Sequence, residues 1–277
     1  MTAAITGATG LLGPYLLAAA AARGAAIGLS RNSKPGGDLT DANVVHRLFK
    51  DVVPSLLIHA AGYTDVDGCE LNPDHADALN RRTTEIIAAA LPAGSRLVYI
   101  STDQVYPDLA GPHREDRVAP VNQYGRSKRA GEMEALARPG ALVVRVNFFG
   151  ASRTAGRTSL SDYVVQSLGA CRPTPLFADV LFSPLHMATL AEVVLDLAGM
   201  GATGVFNLGC REGASKRDFG LGVARHLSLQ TATAVNAVST DLPGRAPRPR
   251  DLRMDVAKVE ACLGRSMPTL SEEIARL

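Results

Sequence analysis

The sequence predicts a doubly wound α/β fold, in which helices cover both faces of a parallel sheet. Short apolar segments alternate with longer segments of helical periodicity over the first 146 residues. The apolar segments do not alternate with polar residues, so both faces of each strand are expected to be buried. A glycine-rich turn, TGATGLLG at residues 6–13, joins the first apolar segment to the first helical one. Repeated units of strand, helix and strand form parallel sheets.

The elements are expected in a regular order along the chain. The predicted strands are residues 3–6, 25–29, 55–59, 96–100, 141–146 and 204–208. The predicted helices are residues 11–23, 43–51, 73–91, 122–138, 160–168 and 187–197, and a further helix follows Ser215. Pro139 and Gly140 end the fourth helix, and Ser215 with Asp218 has capping-box spacing. The helix at 187–197 and the strand at 204–208 are expected to rejoin the sheet.

Composition and charge exclude several classes of function. The 277 residues suffice for one sizeable core with a small second lobe. Lys and Arg total 29 and Asp and Glu total 27, and a net charge of +2 predicts no electrostatic binding to nucleic acid or to an anionic membrane. The apolar stretch at residues 11–22 is too short to span a bilayer, and no export signal precedes TAAIT. We therefore expect a cytoplasmic protein that acts on a small molecule.

Neither a metal centre nor a disulfide framework is predicted. The four cysteines form no C-x-x-C pair and are expected to be reduced and buried: Cys69, Cys171, Cys210 and Cys262. The six histidines show no paired spacing. Asp65, Asp67 and Glu70 are expected to be solvated residues at the start of a helix.

The glycine loop predicts a dinucleotide site. Gly7, Gly10 and Gly13 lie between the first predicted strand and the first predicted helix. Glycines there allow a tight turn and the close approach of a pyrophosphate, and the free N–H groups at the helix start bind phosphate. The same spacing also occurs in purely structural turns. The position at the start of a strand, helix and strand unit favours dinucleotide binding in a Rossmann-type domain.

The end of the second predicted strand indicates which cofactor is preferred. Folds that select NAD carry Asp or Glu there, about 20 residues after the glycines, to bind the ribose 2′-hydroxyl. Here the sequence is GLSRNS, with Ser30 and Arg31 and no carboxylate. A hydroxyl and a guanidinium suit a 2′-phosphate, and the alternative is a solvated surface arginine. We therefore expect NADP(H) to be preferred over NAD(H).

A tyrosine and a lysine one helical turn apart predict a reactive pair. Tyr124 and Lys128 in NQYGRSKRAGE share one face of the predicted helix. A nearby ammonium favours the phenolate and lowers the pKa of a tyrosine. The strand RLVYI ends before Ser101, Thr102 and Asp103, and ligands of parallel sheets bind beyond the carboxyl ends of the strands. Thr102 is therefore expected to hydrogen-bond a substrate carbonyl together with Tyr124.

Motifs spread over nearly the whole chain resemble a known family. Four resemble extended short-chain dehydrogenases/reductases: TGATGLLG, HAAG at residues 59–62, STD at residues 101–103, and YGRSK. Five more narrowly resemble the dTDP-4-dehydrorhamnose reductase family: GDLTD at residues 37–41, AAGYTDVDGCE at 60–70, STDQVYP at 101–107, RVNFFG at 145–150 and PRPRDLRMD at 247–255.

The resemblance implies roles for individual residues. Thr102 would orient the carbonyl, Tyr124 would deliver the proton, and Lys128 would tune Tyr124 and bind the nicotinamide ribose. Asn80 would support the site through the fold, and His59 replaces an asparagine common at that place. Together with the glycine loop and the second strand end, the expected cofactor contacts are Gly7, Thr9, Gly10, Leu11, Leu12, Gly13, Ser30, Arg31, Asp38, Leu39, Ala60, Ala61, Gly62, Tyr124 and Lys128.

A second lobe is expected to hold the substrate. A polar stretch follows residue 150, so residues 1–150 and about 178–208 are expected to form the dinucleotide-binding domain, and about 151–177 and 209–277 the substrate-binding lobe. Arg248 and Arg250, which prolines fix in direction, are candidates for binding a diphosphate. Phe148 is a candidate to stack on a base, Tyr106 to face the sugar, and Val105 either to face the sugar or to pack in the core.

The combined interpretation is NADPH-dependent reduction of a ketone on a nucleotide-linked deoxysugar, with the proton from Tyr124. Related dehydratases carry Thr-Asp-Glu, whereas here Gln104 follows Asp103, and an amide cannot act as a general acid. Two alternatives stay open. One is reduction of a ketone without a nucleotide, and the other is a non-catalytic NADP-binding regulator, since the regulatory subunit of methionine adenosyltransferase resembles the same family. A monomer or a homodimer is expected.

Overall fold

The computed structural model describes residues 2–239 and 244–277. In chain order the elements are β1 (Thr2–Thr6), α1 (Gly13–Ala21), β2 (Ala25–Leu29), α2 (Ala42–Val52), β3 (Leu56–His59), α3 (Val66–Leu71), α4 (Pro73–Asp77), a π-helical turn (Ala78–Arg82), α5 (Thr83–Ala90), β4 (Arg96–Ile100), a 3₁₀ turn (Asp103–Val105), α6 (Gln123–Leu136), β5 (Leu142–Val146), β6 (Phe148–Phe149), α7 (Leu160–Gly169), β7 (Thr174–Phe177), β8 (Leu181–Phe182), β9 (Leu185–His186), α8 (Met187–Gly199), β10 (Gly204–Leu208), β11 (Ala214–Ser215), α9 (Lys216–His226), β12 (Ala234–Ala237), β13 (Asp251–Leu252), α10 (Ala257–Leu263) and α11 (Leu270–Ile274).

The central sheet is parallel, and its order confirms the predicted doubly wound fold. The six strands lie in the order β2, β1, β3, β4, β5 and β10. The chain leaves β1 for β2 on one side and then crosses to β3 on the other side. The strand at residues 204–208 rejoins the sheet next to β5, as predicted. Since the winding direction changes between β1 and β3, a crevice opens beyond the carboxyl ends of these two strands.

Two apolar cores cover the faces of the sheet, as the continuous apolar strands predict. On one face α1 and α8 pack through residues such as Leu16 and Leu190, and on the other face α2 packs through Leu48. A third core lies between α7, α9 and the short strands of the C-terminal half. Phe219 makes edge-to-face contacts there with Phe149 and Phe182. No helix within the described ranges is both long enough and apolar enough to cross a membrane.

The helix predicted at residues 73–91 is interrupted by the π-helical turn. Thr83 Oγ1 donates to Ala78 O at 2.9 Å, and Thr84 Oγ1 donates to Asn80 O at 2.8 Å. These side chains satisfy carbonyl groups near the turn, where the α-helical bonding pattern is interrupted. The turn places Asn80 in the interior of the protein. Helix α3, whose start was expected near Asp65, has only six residues.

Three expectations about single residues were wrong. Cys171 is exposed, with a backbone φ of +51°, because it lies in the tight turn that follows α7. Asp67 and Glu70 are not merely solvated. Asp67 accepts a hydrogen bond from Ala246 N at 2.9 Å, and Glu70 accepts one from Gln123 N at 2.7 Å. Both carboxylates therefore bind backbone N–H groups of segments that are distant from α3 in the chain. Pro243, the first residue of the proline-rich stretch PGRAPRPRD, lies outside the described residues.

Candidate active site

A cavity of about 1220 Å³ opens where β1, β3, β4 and β5 end. Its walls contain the glycine loop, residues 60–62, residues 101–104 and residues 146–148. The opposite wall comes from the C-terminal half of the chain. The cavity therefore lies at the change in winding direction, where ligands of open α/β sheets bind.

The glycine loop requires glycine at two positions. Gly7 has a φ of +70°, and a Cβ there would lie 2.7 Å from the carbonyl carbon of Ala60 and from Ala61 N. A Cβ on Gly13 would lie 2.4 Å from Gly7 O. The end of β1 thus passes closely over the residues that follow β3, and Thr6 Oγ1 accepts a hydrogen bond from Ala61 N at 3.2 Å. The loop and residues 60–62 form one continuous surface.

Most of the expected cofactor contacts lie on the cavity wall: Gly7, Thr9, Gly10, Leu11, Leu12, Gly13, Ala60, Ala61, Gly62, Tyr124 and Lys128. The other four, Ser30, Arg31, Asp38 and Leu39, follow β2 and lie outside that wall. Hydrogen bonds from Thr40 lower the pKa of the Asp38 carboxyl, and the charge of Arg31 lowers it further. The exposed guanidinium of Arg31 is therefore near a carboxylate, which would compete with a 2′-phosphate for it.

Tyr124 and Thr102 are brought together by the N-cap of α6. Asn122 Oδ1 accepts from Gly125 N at 2.7 Å and so begins the helix. Its amide Nδ2 donates to Gln104 Oε1 at 3.0 Å, two residues after Thr102. Tyr124 and Thr102 both line the cavity, and the Thr102 side chain lowers the pKa of Tyr124. A buried cap at position 122 therefore aligns the helix that carries Tyr124 with the turn that carries Thr102, a function that the sequence analysis did not assign to it.

Burial dominates the protonation of the reactive pair. It raises the pKa of Tyr124 well above its ordinary value, while the Thr102 side chain lowers it and the Asp103 carboxylate raises it. Burial lowers the pKa of Lys128 to about 7. Lys128 Nζ donates to Ile100 O at 2.7 Å and lies 4.0 Å from the centroid of the Tyr99 ring. The predicted lowering of the Tyr124 pKa by Lys128 is not seen, because the ammonium is directed to the end of β4.

Asp103 is a buried carboxyl group next to Thr102. Thr102 Oγ1 donates to Asp103 Oδ1 at 3.2 Å, and Asn147 Nδ2 donates to Asp103 Oδ2. Burial raises the pKa of Asp103 to about 6, against the effect of these hydrogen bonds and of Lys216. The carboxyl group fixes the orientation of the Thr102 hydroxyl.

Asn80 and His59 support the site from behind the cavity. Asn80 Oδ1 accepts from Tyr63 N at 2.8 Å, and its Nδ2 donates to Ser127 Oγ at 2.9 Å. Asn80 thereby ties the segment after β3 to α6. His59 Nδ1 is 2.7 Å from Thr6 Oγ1, and burial lowers the pKa of His59 to about 3, so the ring is neutral.

The expected substrate contacts divide into two groups. Phe148, Arg248 and Arg250 line the cavity. Val105 and Tyr106 do not line it. The expected contact of Tyr106 with the sugar is therefore corrected, and of the two alternatives for Val105 the structure shows core packing. Both are fully buried, because they pack in a small apolar cluster with Met254. The Tyr106 ring stacks on His113, and its hydroxyl accepts from Arg145 Nη1 at 3.0 Å.

The two arginines are already paired with carboxylates. Arg248 Nη1 donates to Asp67 Oδ1 at 2.9 Å, and the Arg250 Nε lies 3.5 Å from Asp108 Oδ1. Lys216, which the sequence analysis did not single out, also lines the cavity. Over residues 2–239 and 244–277, no group of three or more His, Cys, Asp or Glu side chains could hold a metal ion.

The chain is similar to several named reductases. It is 33% identical over its full length to a probable low-salt glycan biosynthesis reductase of Haloferax volcanii, of which it covers 97%. It is 35% identical over 88% of its length to the dTDP-4-dehydrorhamnose reductase of Mycobacterium tuberculosis, of which it covers 80%. A crystal structure of dTDP-4-dehydrorhamnose reductase from Bacillus anthracis in complex with NADP matches 99% of this chain and 97% of that one, with a TM-score of 0.91. At 23% identity, the last likeness concerns the fold.

The fold and the site define a nicotinamide-dependent oxidoreductase of the extended short-chain dehydrogenase/reductase class, which acts on a keto or hydroxyl group. The family model described as the RmlD substrate binding domain matches residues 1–277. The chain belongs to this family, that of the dTDP-4-dehydrorhamnose reductases. The resemblance that the sequence motifs indicate is thereby confirmed.

Proposed function

We propose that the protein uses NADPH to reduce a ketone on a nucleotide-linked deoxysugar, with Tyr124 as the proton donor. One observation carries the proposal. Thr102, Tyr124 and Lys128 lie on the wall of the same cavity as the glycine loop. A hydride donor held by the loop and a carbonyl held by Thr102 therefore share one cavity. The named relatives support a sugar-linked substrate.

The glycine loop fits a dinucleotide phosphate. In the described part of the chain, the N–H groups of Leu11, Leu12 and Gly13 have no hydrogen-bond acceptor. They precede α1, and free N–H groups at a helix start bind anions. We assign the cofactor to residues 1–150 and about 178–208, and the substrate mainly to about 151–177 and 209–277.

The proposed chemistry needs three groups of the chain. Bound NADPH supplies the hydride to the ketone carbon. The raised pKa of Tyr124 keeps its hydroxyl protonated, so it can donate that proton to the developing alkoxide. The Thr102 hydroxyl stabilises the same oxygen by turning its single proton from Asp103 to the substrate, and Lys128 orients the cofactor by binding the nicotinamide ribose. Burial of all three groups strengthens these interactions, because little water competes with them.

Replacing the proposed proton donor tests the mechanism. Tyr124→Phe is expected to lower kcat by about 100-fold or more, because general acid catalysis typically contributes at least that much. The measurement is NADPH oxidation with a panel of nucleotide-linked ketosugars. Tyr163→Phe, on the surface of α7, is the matched control and should retain full activity. Activity of the Tyr124→Phe protein within about tenfold of wild type contradicts the role.

Reversing the charge after β2 tests the cofactor preference. Arg31→Glu is expected to lower the ratio of NADPH to NADH efficiency by about tenfold or more, because a carboxylate repels the 2′-phosphate. Arg47→Glu, on the exposed side of α2, has the same charge change and should leave the ratio unaltered. An unchanged ratio in Arg31→Glu shows that this arginine does not select the cofactor.

A further inference from the structure

Lys216 is a cation on the cavity wall that the proposed mechanism does not use. It is the first residue of α9, and it lines the cavity together with Thr102 and Arg248. Its backbone N–H donates to Val180 O at 2.9 Å. Among residues 2–239 and 244–277, no acceptor lies within hydrogen-bond or ion-pair distance of its Nζ. This differs from Arg248, whose guanidinium is paired with Asp67 at 2.9 Å.

The surroundings of Lys216 disfavour its positive charge. Burial lowers the pKa of its ammonium, and the charges of Arg248 and Arg245 lower it further. The nearby Asp103 opposes this effect, but burial raises the pKa of that carboxyl too. The N-terminus of α9 adds the positive end of a helix dipole. The partly buried cavity wall therefore carries three cations, Lys216, Arg245 and Arg248, beside the N-terminus of α9. An anionic ligand there would reduce the repulsion between their charges.

We propose that Lys216 binds the phosphate of a substrate that carries a nucleoside diphosphate, and that it determines the preference for such substrates. The proposal rests on the proposed function, because a sugar ketone at Thr102 fixes where the phosphate lies. Thr102 is hydrogen-bonded to Asp103, and Asp103 is within electrostatic reach of Lys216. Lys216 and Thr102 line the same cavity, so a phosphate attached to a sugar at Thr102 lies in the cavity that Lys216 faces. Arg248 stays paired with Asp67 and adds long-range attraction.

Calorimetric titration of the full-length protein, saturated with NADP, tests this assignment. The probes are dTDP, UDP and GDP, each compared with its nucleoside. Lys216→Met is expected to weaken binding of the preferred diphosphate by about tenfold or more, because a hydrogen bond between charged groups is lost. Binding of the nucleoside and of NADP should change less than twofold, and Lys216→Arg should restore most of the affinity. Lys50→Met, at the exposed end of α2, is the matched control.

Two results overturn the proposal. One is equal affinity of wild type and Lys216→Met for the preferred diphosphate, and the other is a wild type that binds diphosphates no more tightly than nucleosides. Turnover separates this inference from the proposed function. If the wild-type protein reduces nucleotide-linked ketosugars and Lys216→Met has the same KM for them, the proposed function stands and the proposed role of Lys216 is wrong. If diphosphate binding depends on Lys216 but no ketosugar supports NADPH oxidation, the role of Lys216 stands and the proposed function is wrong.

Discussion

Tyr124 and Lys128 illustrate how burial adjusts two groups in opposite directions. Each is less than a tenth exposed, and burial penalises the charged form of each. The tyrosine therefore stays protonated, as its proposed role requires, whereas the lysine is held close to losing its charge near neutral pH. Glu132, one turn further along α6, is the group that favours the charged lysine. The sequence shows the spacing of the pair, but it does not show which neighbours its side chains meet.

The lowered pKa of Lys128 predicts a stability cost. Its pKa falls from 10.5 to about 7 on folding, so burying the ammonium costs most below pH 7, and the cost disappears as the pH rises towards 10.5. Lys128→Met should therefore raise the free energy of unfolding by about 1–3 kcal/mol at pH 6.5, with a smaller gain at pH 9.5. Urea denaturation at both pH values measures this. Lys50→Met should show no gain, and a Lys128→Met protein less stable than wild type at pH 6.5 would refute the argument.

Helix α6 is the element that organises the site. Its N-cap side chain, Asn122, also donates to Pro247 O at 2.9 Å, so the helix start holds residues 244–250 beside the cavity. Further along the helix, Glu132 accepts hydrogen bonds from Arg145 Nη2 at 2.8 Å and from Ser101 Oγ at 2.6 Å. These bonds fix α6 against the ends of β4 and β5. The positions of Tyr124 and Thr102 therefore depend on polar groups buried along one helix.

Removing the buried charge on α6 is expected to destabilise the protein. Glu132→Gln leaves the guanidinium of Arg145 buried without its counter-charge, which typically costs about 3–5 kcal/mol. Glu134→Gln is the matched control, and it should cost about 1 kcal/mol or less, because its ion pair with Arg81 is partly exposed. Denaturant unfolding measures both. A cost below about 1 kcal/mol for Glu132→Gln would show that the pair does not hold α6 in place.

At the scale of the whole molecule, residues 151–159 connect the C-terminal half to the glycine loop. Thr154 Oγ1 donates to Gly10 O at 3.2 Å, and Tyr15 OH donates to Ala151 O at 2.7 Å. The guanidinium of Arg153 lies 3.9 Å from the centroid of the Tyr15 ring. A ligand bound at the glycine loop is therefore expected to stabilise this segment as well.

Limited proteolysis can test that connection. Arg153 and Arg157 are exposed in an irregular segment, so trypsin is expected to cleave after one of them. Saturating NADP should slow this cleavage by about tenfold or more. Bound NADP would stabilise, by mass action, the state in which residues 151–159 contact the glycine loop. Cleavage after Arg114, in an exposed loop outside the cavity, provides the internal control. Equal rates at residues 153–157 with and without NADP would show that the segment is independent of the cofactor site.

The sequence by itself determined the parallel sheet, the glycine loop and the placement of Tyr124 and Lys128 one turn apart on one helix. These features depend on local periodicity and on spacing of a few residues, which the chain displays directly. The tertiary structure decided that Tyr106 points into the core, that Arg248 is paired with Asp67, and that Lys216 faces the cavity. Those outcomes depend on contacts between residues far apart in the chain, and on the burial that they create.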